Sequence, residues 1–172
     1  MTSTPRRAIW LTATLLAALV STLPRSLAAD QPKDLDKIPP RVLDALNAKF
    51  PRAAIEKWTK EREHGKTIYD IEFTAGGRKA EADIAENGTI QNFETQFDPA
   101  QLPKPVADAV ARKYPKSRMK EVLQITEIKN KKEVDGGFEI VIETAGKQEV
   151  ELTIARSGKV LEDSGPRPPE RP

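Results

Sequence analysis

The sequence predicts an α+β fold made of two tandem α-β-β-β-β repeats, with antiparallel sheets that each carry a short helix on one face. Three observations predict this fold. The chain of 172 residues aligns with itself over most of its length. Each copy opens with a short stretch of helical apolar periodicity. Each copy then continues with stretches in which apolar and polar residues alternate, which is typical of strands with one buried side.

The internal repeat keeps residue type, order and turn positions. Three pairs of segments correspond: 38–51 with 102–115, 69–73 with 138–142, and 81–90 with 151–160. The offset grows from 64 to 70, and most of the inserted residues fall in the charged segment 129–137, which we expect to be a loop. Two copies are too few for a solenoid. The alignment therefore predicts two repeats, at residues 36–97 and 98–163.

Each repeat begins with a short helix that has one apolar stripe. The stripe residues recur four positions apart: Val42, Leu46 and Phe50 in the first copy, and Val106, Val110 and Tyr114 in the second. Pro40 and Pro105 suit the first helical turn, where a missing N–H costs nothing. Pro51 and Pro115 end the helices just before them. Helices of about ten residues are marginal alone, so we expect both to pack on a sheet.

Four strands follow each helix. The inward-facing residues of the most regular strands are Tyr69, Ile71, Phe73, Ala80, Ala82 and Ile84, and Phe138, Ile140, Ile142, Val150, Leu152 and Ile154. The first strand of each copy, at about 55–63 and 119–128, is the least regular. The predicted turns are His64-Gly65, Gly76-Gly77, Asn87-Gly88, Gly136-Gly137, Gly146 and Ser157-Gly158. Glycine and asparagine are the residues that tight hairpin turns favour.

The two ends of the chain are predicted to lie outside the fold. Residues 1–28 combine Arg6 and Arg7, an uncharged apolar run at 8–20 and a small-residue cleavage site, which is typical of a signal peptide. The apolar run would rise about 20 Å as a helix, too short for a hydrocarbon core of about 30 Å. We therefore expect an exported, periplasmic or extracellular protein without stable membrane insertion. The Pro-rich tail, 164–172, is predicted to be disordered.

Composition excludes several classes of function. The absence of Cys excludes disulfides, a Cys nucleophile and a lipoprotein anchor, and a single His excludes His-cluster metal sites. Without its first 29 residues, which hold three Arg and no acid, the chain has a net charge near −1. Basic and acidic residues are interspersed along it, so nucleic acid is not an expected partner. No cofactor is predicted.

Several sequence elements together indicate a family. They are the stops Lys49-Phe50-Pro51 and Lys113-Tyr114-Pro115, the runs 69–73 and 138–142, and the turns Asn87-Gly88 and Ser157-Gly158. Over residues 36–163 the chain resembles the PepSY-like family, which is related in fold to beta-lactamase inhibitor protein. The resemblance implies an exported, non-enzymatic binding module, associated in that family with holding or inhibiting peptidases. It also implies target binding on a concave sheet made by two tandem copies.

Other candidate sites have simpler explanations. His64 lies at a charged hairpin tip and is expected to be a solvated turn residue, without a nucleophile beside it. The glycosylation pattern Asn87-Gly88-Thr89 equally predicts a type I′ turn. Scattered acids could offer oxygens to a hard cation, but they lack the spacing of a calcium loop: Asp34, Asp36, Asp83, Glu86 and Asp163. No catalytic motif is present, so we do not expect an enzyme.

Trp58 allows two interpretations. It aligns with Val122 as a core position of the first strand, or it anchors a partner on the sheet face without helices, since Trp is common in interface hot spots. The predicted partner-binding residues are Trp58, Lys57, Thr59, Asp70, Glu72 and Glu139. The sequence thus predicts a binding module for a protein or peptide, with peptidase inhibition as one form. A small-ligand or metal-ion sensor is the alternative, and a structural envelope protein is a further one.

Overall fold

A computed structural model describes residues 34–63 and 65–166. Two helices and eight strands follow one another: α1 Pro40–Lys49, β1 Ala54–Glu63, β2 Lys66–Ala75, β3 Arg78–Ala85, β4 Ile90–Gln96, α2 Lys104–Lys113, β5 Arg118–Lys129, β6 Lys132–Glu143, β7 Glu149–Ile154 and β8 Val160–Asp163. Short 3-10 turns at Leu35–Lys37 and Pro99–Gln101 precede the helices. The predicted signal peptide at 1–28, His64 and tail residues 167–172 lie outside the described residues.

All eight strands form one antiparallel sheet in the order of the sequence, β1 to β8. This arrangement confirms the α+β fold of helix-then-strand repeats. The two sets of four strands are not separate sheets, however, because β4 pairs with β5, for example through Phe93 opposite Thr126. The repeat bounds 36–97 and 98–163 stay a prediction.

Each helix covers one half of the same sheet face. In the first half, Val42 and Leu46 of α1 pack in a core cluster with Ile71 and Phe73 of β2. A second cluster holds α2 residues together with strand residues of β5 to β7. The helices end as predicted, since the N–H of Phe50 closes α1 on the carbonyl of Leu46, immediately before Pro51. Neither described helix is long or apolar enough to cross a membrane.

The predicted turn at Gly136-Gly137 is wrong. Both glycines lie inside β6, opposite a register shift between Ile125 and Thr126. The chain instead turns at Asn130 and Lys131, whose φ angles of 53° and 61° are both positive. Two positive φ angles at a two-residue connection make a type I′ hairpin turn without glycine. The expected charged loop at 129–137 is therefore the end of a long β5–β6 hairpin.

The turns at Asn87-Gly88 and Ser157-Gly158 have the same geometry in both repeats. Only the glycines have positive φ, +85° at Gly88 and +84° at Gly158. This contradicts the predicted type I′ turn at Asn87-Gly88, because type I′ needs two positive φ angles. Gly88 N–H donates instead to the carbonyl of Ala85, with an N–O distance of 2.7 Å.

These two turns pack against the helix N-termini. A Cβ at Gly88 would lie 2.8 Å from the carbonyl oxygen of Arg41 in α1. A Cβ at Gly158 would lie 2.4 Å from the carbonyl oxygen of Pro105 in α2. Both positions therefore need glycine for its conformation and for its missing side chain.

Candidate functional site

One face of the sheet has no described helix packed on it, and we call it the open face. Side chains alternate along each strand except at the register shifts, so the pairing register assigns the paired residues to one face or the other. In the middle of the strands it consists of Lys57, Thr59, Glu61, Ile68, Asp70, Glu72, Glu81, Asp83, Asn92, Glu94, Glu121, Leu123, Ile125, Glu127, Glu139, Val141, Glu151, Thr153 and Glu162.

Several side chains on the open face have little exposure. Although no described helix packs on this face, Ile125 is only 1% exposed, Glu94 2% and Leu123 3%. The open face therefore combines exposed charged residues with residues of very low exposure.

Acidic side chains are concentrated on β2, β3 and β4. We call Asp70, Glu72, Glu81, Asp83 and Glu94 the acidic patch. Asp70 lies directly opposite Asp83, and Glu81 lies opposite both Glu72 and Glu94. Like charges directly opposite each other destabilise a sheet. The sequence thus places carboxylates that repel one another in neighbouring positions on adjacent strands.

Burial changes the protonation of two members of the patch. Desolvation raises the pKa of Asp70 to about 7, and the nearby carboxylates of Asp83 and Glu72 add to the rise. Desolvation likewise raises the pKa of Glu81 to about 8, with a further contribution from Glu94. A carboxylate that is removed from water and faces other carboxylates holds its proton more tightly. Near neutral pH these two groups are therefore poised between charged and neutral forms.

Side-chain contacts hold several carboxylates of the open face. Lys57 Nζ lies 2.7 Å from Glu72 Oε1, in a half-buried ion pair between β1 and β2. Lys79 Nζ lies 3.4 Å from Glu121 Oε1. The amide of Asn92 donates to Asp83 Oδ2 over 2.7 Å. These contacts fix the carboxylates of Glu72 and Asp83 in place on the open face.

Apolar residues lie beside the acidic patch. We call Leu123, Ile125 and Val141 the apolar strip; Ile125 lies opposite Glu94 of β4, so the strip directly adjoins the patch. Leu123 lies opposite Glu139 on the other side. The open face thus combines a charged half and a partly apolar half.

Five of the six predicted partner-binding residues share the open face: Lys57, Thr59, Asp70, Glu72 and Glu139. Trp58 does not, and the interpretation that it anchors a partner on this face is wrong. It lies opposite Ile71, packs against the core cluster under α1, and its ring centroid is 6.1 Å from that of Tyr69. The core interpretation of Trp58 agrees with this position.

The sequence prediction missed Glu94, Leu123 and Ile125. Glu94 lies in β4, whose sequence lacks clear alternation, and the sequence assigned no strand role to it. Leu123 and Ile125 are apolar residues on the polar side of β5, where strict alternation predicts charge. The sequence signal for this part of the face was the presence of apolar residues at 123 and 125, where the alternation of β5 predicts polar ones.

The described residues give no support to a metal site. No group of three Asp, Glu, His or Cys side chains within 34–63 and 65–166 could hold a metal ion. Two of the scattered acids have basic neighbours instead: Asp34 pairs with Lys37 at 2.8 Å, and Asp163 with Lys113 at 2.9 Å. A shallow cleft lined by Ile68, Asp83 and Asn92, among others, is part of the open face.

Similar proteins share this architecture. The solved structure of a BLIP-like protein from Bacteroides fragilis has a TM-score of 0.51 and 21% identity, covering 76% of this chain and 89% of that chain. A DUF2874 family protein from Bacteroides uniformis has a TM-score of 0.55 and 16% identity, covering 73% and 87%. At these identities the likeness shows the fold alone. No curated protein matches the chain.

A family model provides the assignment. The beta-lactamase-inhibitor-like, PepSY-like model matches the chain twice, over residues 30–91 and 67–162. These matches confirm the resemblance inferred from the Pro-bounded helices and strand runs. The chain therefore belongs to the beta-lactamase-inhibitor-like, PepSY-like family.

Proposed function

We propose that the chain is an exported, non-enzymatic binding module that recognises a protein or peptide through its open face. One observation carries the proposal: both helices cover the same side of an eight-stranded sheet, and the other side is wide and carries no described helix. A surface of this width suits a polypeptide better than a small molecule, which usually binds in an enclosed pocket. Membership of an inhibitor-like family supports the same function.

Inhibition of a peptidase is the specific form that the family favours. A broad sheet face can cover a loop or an active-site rim without any chemistry of its own. The signal peptide expected at residues 1–28 would bring the chain into contact with peptidases outside the cytoplasm. An inhibitory role therefore needs only tight binding through the open face.

A capture experiment with two matched variants tests the binding function. The tagged chain without residues 1–28 is incubated with the exported proteins of its source organism, and retained proteins are identified by mass spectrometry. Glu139→Arg and Glu133→Arg make the same charge change in β6, on the open face and the helix side respectively. We expect Glu139→Arg to abolish retention of the partner and Glu133→Arg to preserve it. Equal retention by both variants would refute binding through the open face.

A separate measurement tests whether the chain inhibits the peptidase that it binds. If the retained protein is a peptidase, adding the purified chain should lower its activity in proportion to occupancy, and Glu139→Arg should not. A retained peptidase that keeps full activity when saturated would leave binding intact and contradict inhibition.

A further inference from the structure

The open face carries a strong excess of negative charge. Within the paired strands it holds fourteen acidic residues: Glu61, Glu63, Asp70, Glu72, Glu81, Asp83, Glu94, Glu121, Glu127, Glu139, Glu143, Glu149, Glu151 and Glu162. It holds seven basic ones: Lys57, Lys66, Lys79, Arg118, Lys129 and Lys132 in paired positions, and Lys120, whose Nζ lies 2.8 Å from Glu149 Oε2. Acidic residues of these strands thus outnumber the basic ones about two to one.

This excess belongs to the face and not to the whole chain. From residue 30 onward the net charge is near −1, so the rest of the molecule must carry a net positive charge. Basic residues on the helix side include Arg41 and Lys49 of α1 and Arg112 and Lys113 of α2. The molecule therefore has one strongly negative face and one positive side. Such a field attracts a cationic partner to one face and orients it.

From this charge distribution we propose that the partner of the open face is a cationic protein or peptide, whose Lys or Arg side chains enter the acidic patch while a neighbouring apolar residue contacts the apolar strip. The inference rests on the proposed function and names the chemistry of its partner. Nucleic acids and anionic lipid surfaces carry the same sign of charge as the open face, so it repels them.

Three features of the acidic patch fit a cationic occupant. Its acid–acid pairs across strands are unfavourable in the free protein and become favourable when a positive group lies between them. Glu94 is 2% exposed and Asp70 8%, so a cation bound there is partly shielded from water and attracted more strongly than at an exposed site. The apolar strip beside the patch adds contact area that a bare cation could not use.

Protonation gives the inference a second consequence. The charged groups that face Asp70 and Glu81 come from five strands: Lys57 and Glu61 of β1, Glu72 of β2, Asp83 of β3, Glu94 of β4 and Glu121 of β5. Burial is the main cause of the raised pKa values of Asp70 and Glu81, and these neighbours, which are acidic except for Lys57, add to the rise. An added positive group lowers these pKa values, and binding at neutral pH must release protons. The affinity should therefore rise between about pH 6 and pH 9.

Decalysine is a suitable probe, with decaglutamate as its counterpart. Titration calorimetry at low ionic strength measures binding to the chain without residues 1–28. The double variant Glu72→Gln/Glu81→Gln removes two carboxyl groups from the acidic patch, one of which, Glu81, is partly protonated near neutral pH. The control Asp108→Asn/Glu133→Gln removes two charges from exposed positions on the helix side. We expect the patch variant to weaken decalysine binding about tenfold or more and the control by less than about twofold.

Two further measurements complete the test. Calorimetry near pH 7 in buffers of different ionisation enthalpy should show proton release with the wild type and less with the patch variant. Equal decalysine affinities of the two double variants, or no binding at all, would overturn the cationic partner. Light scattering at low salt that shows dimers, dissociated by the patch variant, would instead make a second copy of the chain the occupant and also overturn it.

Failure here is distinguishable from failure of the proposed function. If decalysine does not bind but Glu139→Arg still abolishes capture of the natural partner, the binding face stands and its cationic partner class is wrong. If Glu139→Arg has no effect either, both are wrong.

Discussion

At the scale of single residues, the acidic patch makes stability depend on pH in an unusual direction. Asp70 and Glu81 have ordinary pKa values of 3.8 and 4.5, which the fold raises to about 7 and about 8. The native state therefore binds more protons than the unfolded state between about pH 4 and pH 8, and the free energy of unfolding falls as pH rises through this window. Asp135 and Asp163 have lowered pKa values and act in the opposite sense at lower pH.

Glu81→Gln should remove much of this dependence. We expect the wild type to lose stability between about pH 5 and pH 9 and the variant to lose less, by on the order of 2 kcal/mol at the upper end. Urea unfolding at a series of pH values measures how the free energy of unfolding depends on pH. Glu133→Gln, an exposed change on the helix side, should keep the wild-type slope. A Glu81→Gln slope equal to that of the wild type would show that the carboxyl is not desolvated.

Gly158 tests the packing of a turn against a helix. Gly158→Ala adds a Cβ 2.4 Å from the carbonyl oxygen of Pro105, at a φ of +84°. Gly77→Ala is a matched control, because its φ is +78° and nothing lies within 4 Å of the added Cβ. We expect about 1 kcal/mol of destabilisation at Gly77 from the backbone alone and at least about 2 kcal/mol more at Gly158. Equal losses in thermal unfolding would mean that the turn does not press on α2.

At the scale of elements, the sequence predicted what depends on local patterns. Both helices follow from four-residue apolar spacing and their prolines, and the strands from alternation. The sequence prediction failed where contacts between residues far apart in the chain determine the local structure. Gly136-Gly137 has turn chemistry, but pairing with β5 places it inside a strand. Glu94 and Ile125 are buried although no described helix packs on their face, and the alternation within a single strand does not predict this.

The β5–β6 turn offers a test of this corrected hairpin. Lys131 adopts a φ of 61°, which costs a side-chain-bearing residue free energy that glycine avoids. We expect Lys131→Gly to raise the free energy of unfolding by about 1 kcal/mol in urea titrations. Lys132→Gly, one position later in β6, should lower it, since glycine weakens a strand. If Lys131→Gly lowered the free energy of unfolding and Lys132→Gly raised it, the result would contradict the hairpin and favour a flexible loop at this place.

At the scale of the whole molecule, the β4–β5 pairing joins both repeats in one sheet. This predicts that they unfold together. The chain without its first 28 residues contains a single Trp, Trp58, whose fluorescence reports on the first repeat, while far-UV circular dichroism reports on both. The two probes should give coincident urea transitions. Separated midpoints would show two independently folding halves.

The duplication also explains the width of the open face, the surface proposed to bind the partner. Two copies with the same helix-on-one-side arrangement, joined edge to edge, leave one continuous open face twice as wide as either copy provides. The sequence predicted the polar side of the strands as that surface, and five of its six proposed residues lie on it. Its acidic excess became visible only when the register brought distant strands together.

The most direct test of the account is nuclear magnetic resonance of methyl groups during titration with decalysine. Ile68, Leu123, Ile125 and Val141 carry methyl groups on the open face, whereas Val42, Leu46, Val106 and Val110 carry them under the helices. We predict that the open-face methyl signals shift in proportion to occupancy while those under the helices stay in place. Shifts confined to the helix methyl groups would contradict binding on the open face.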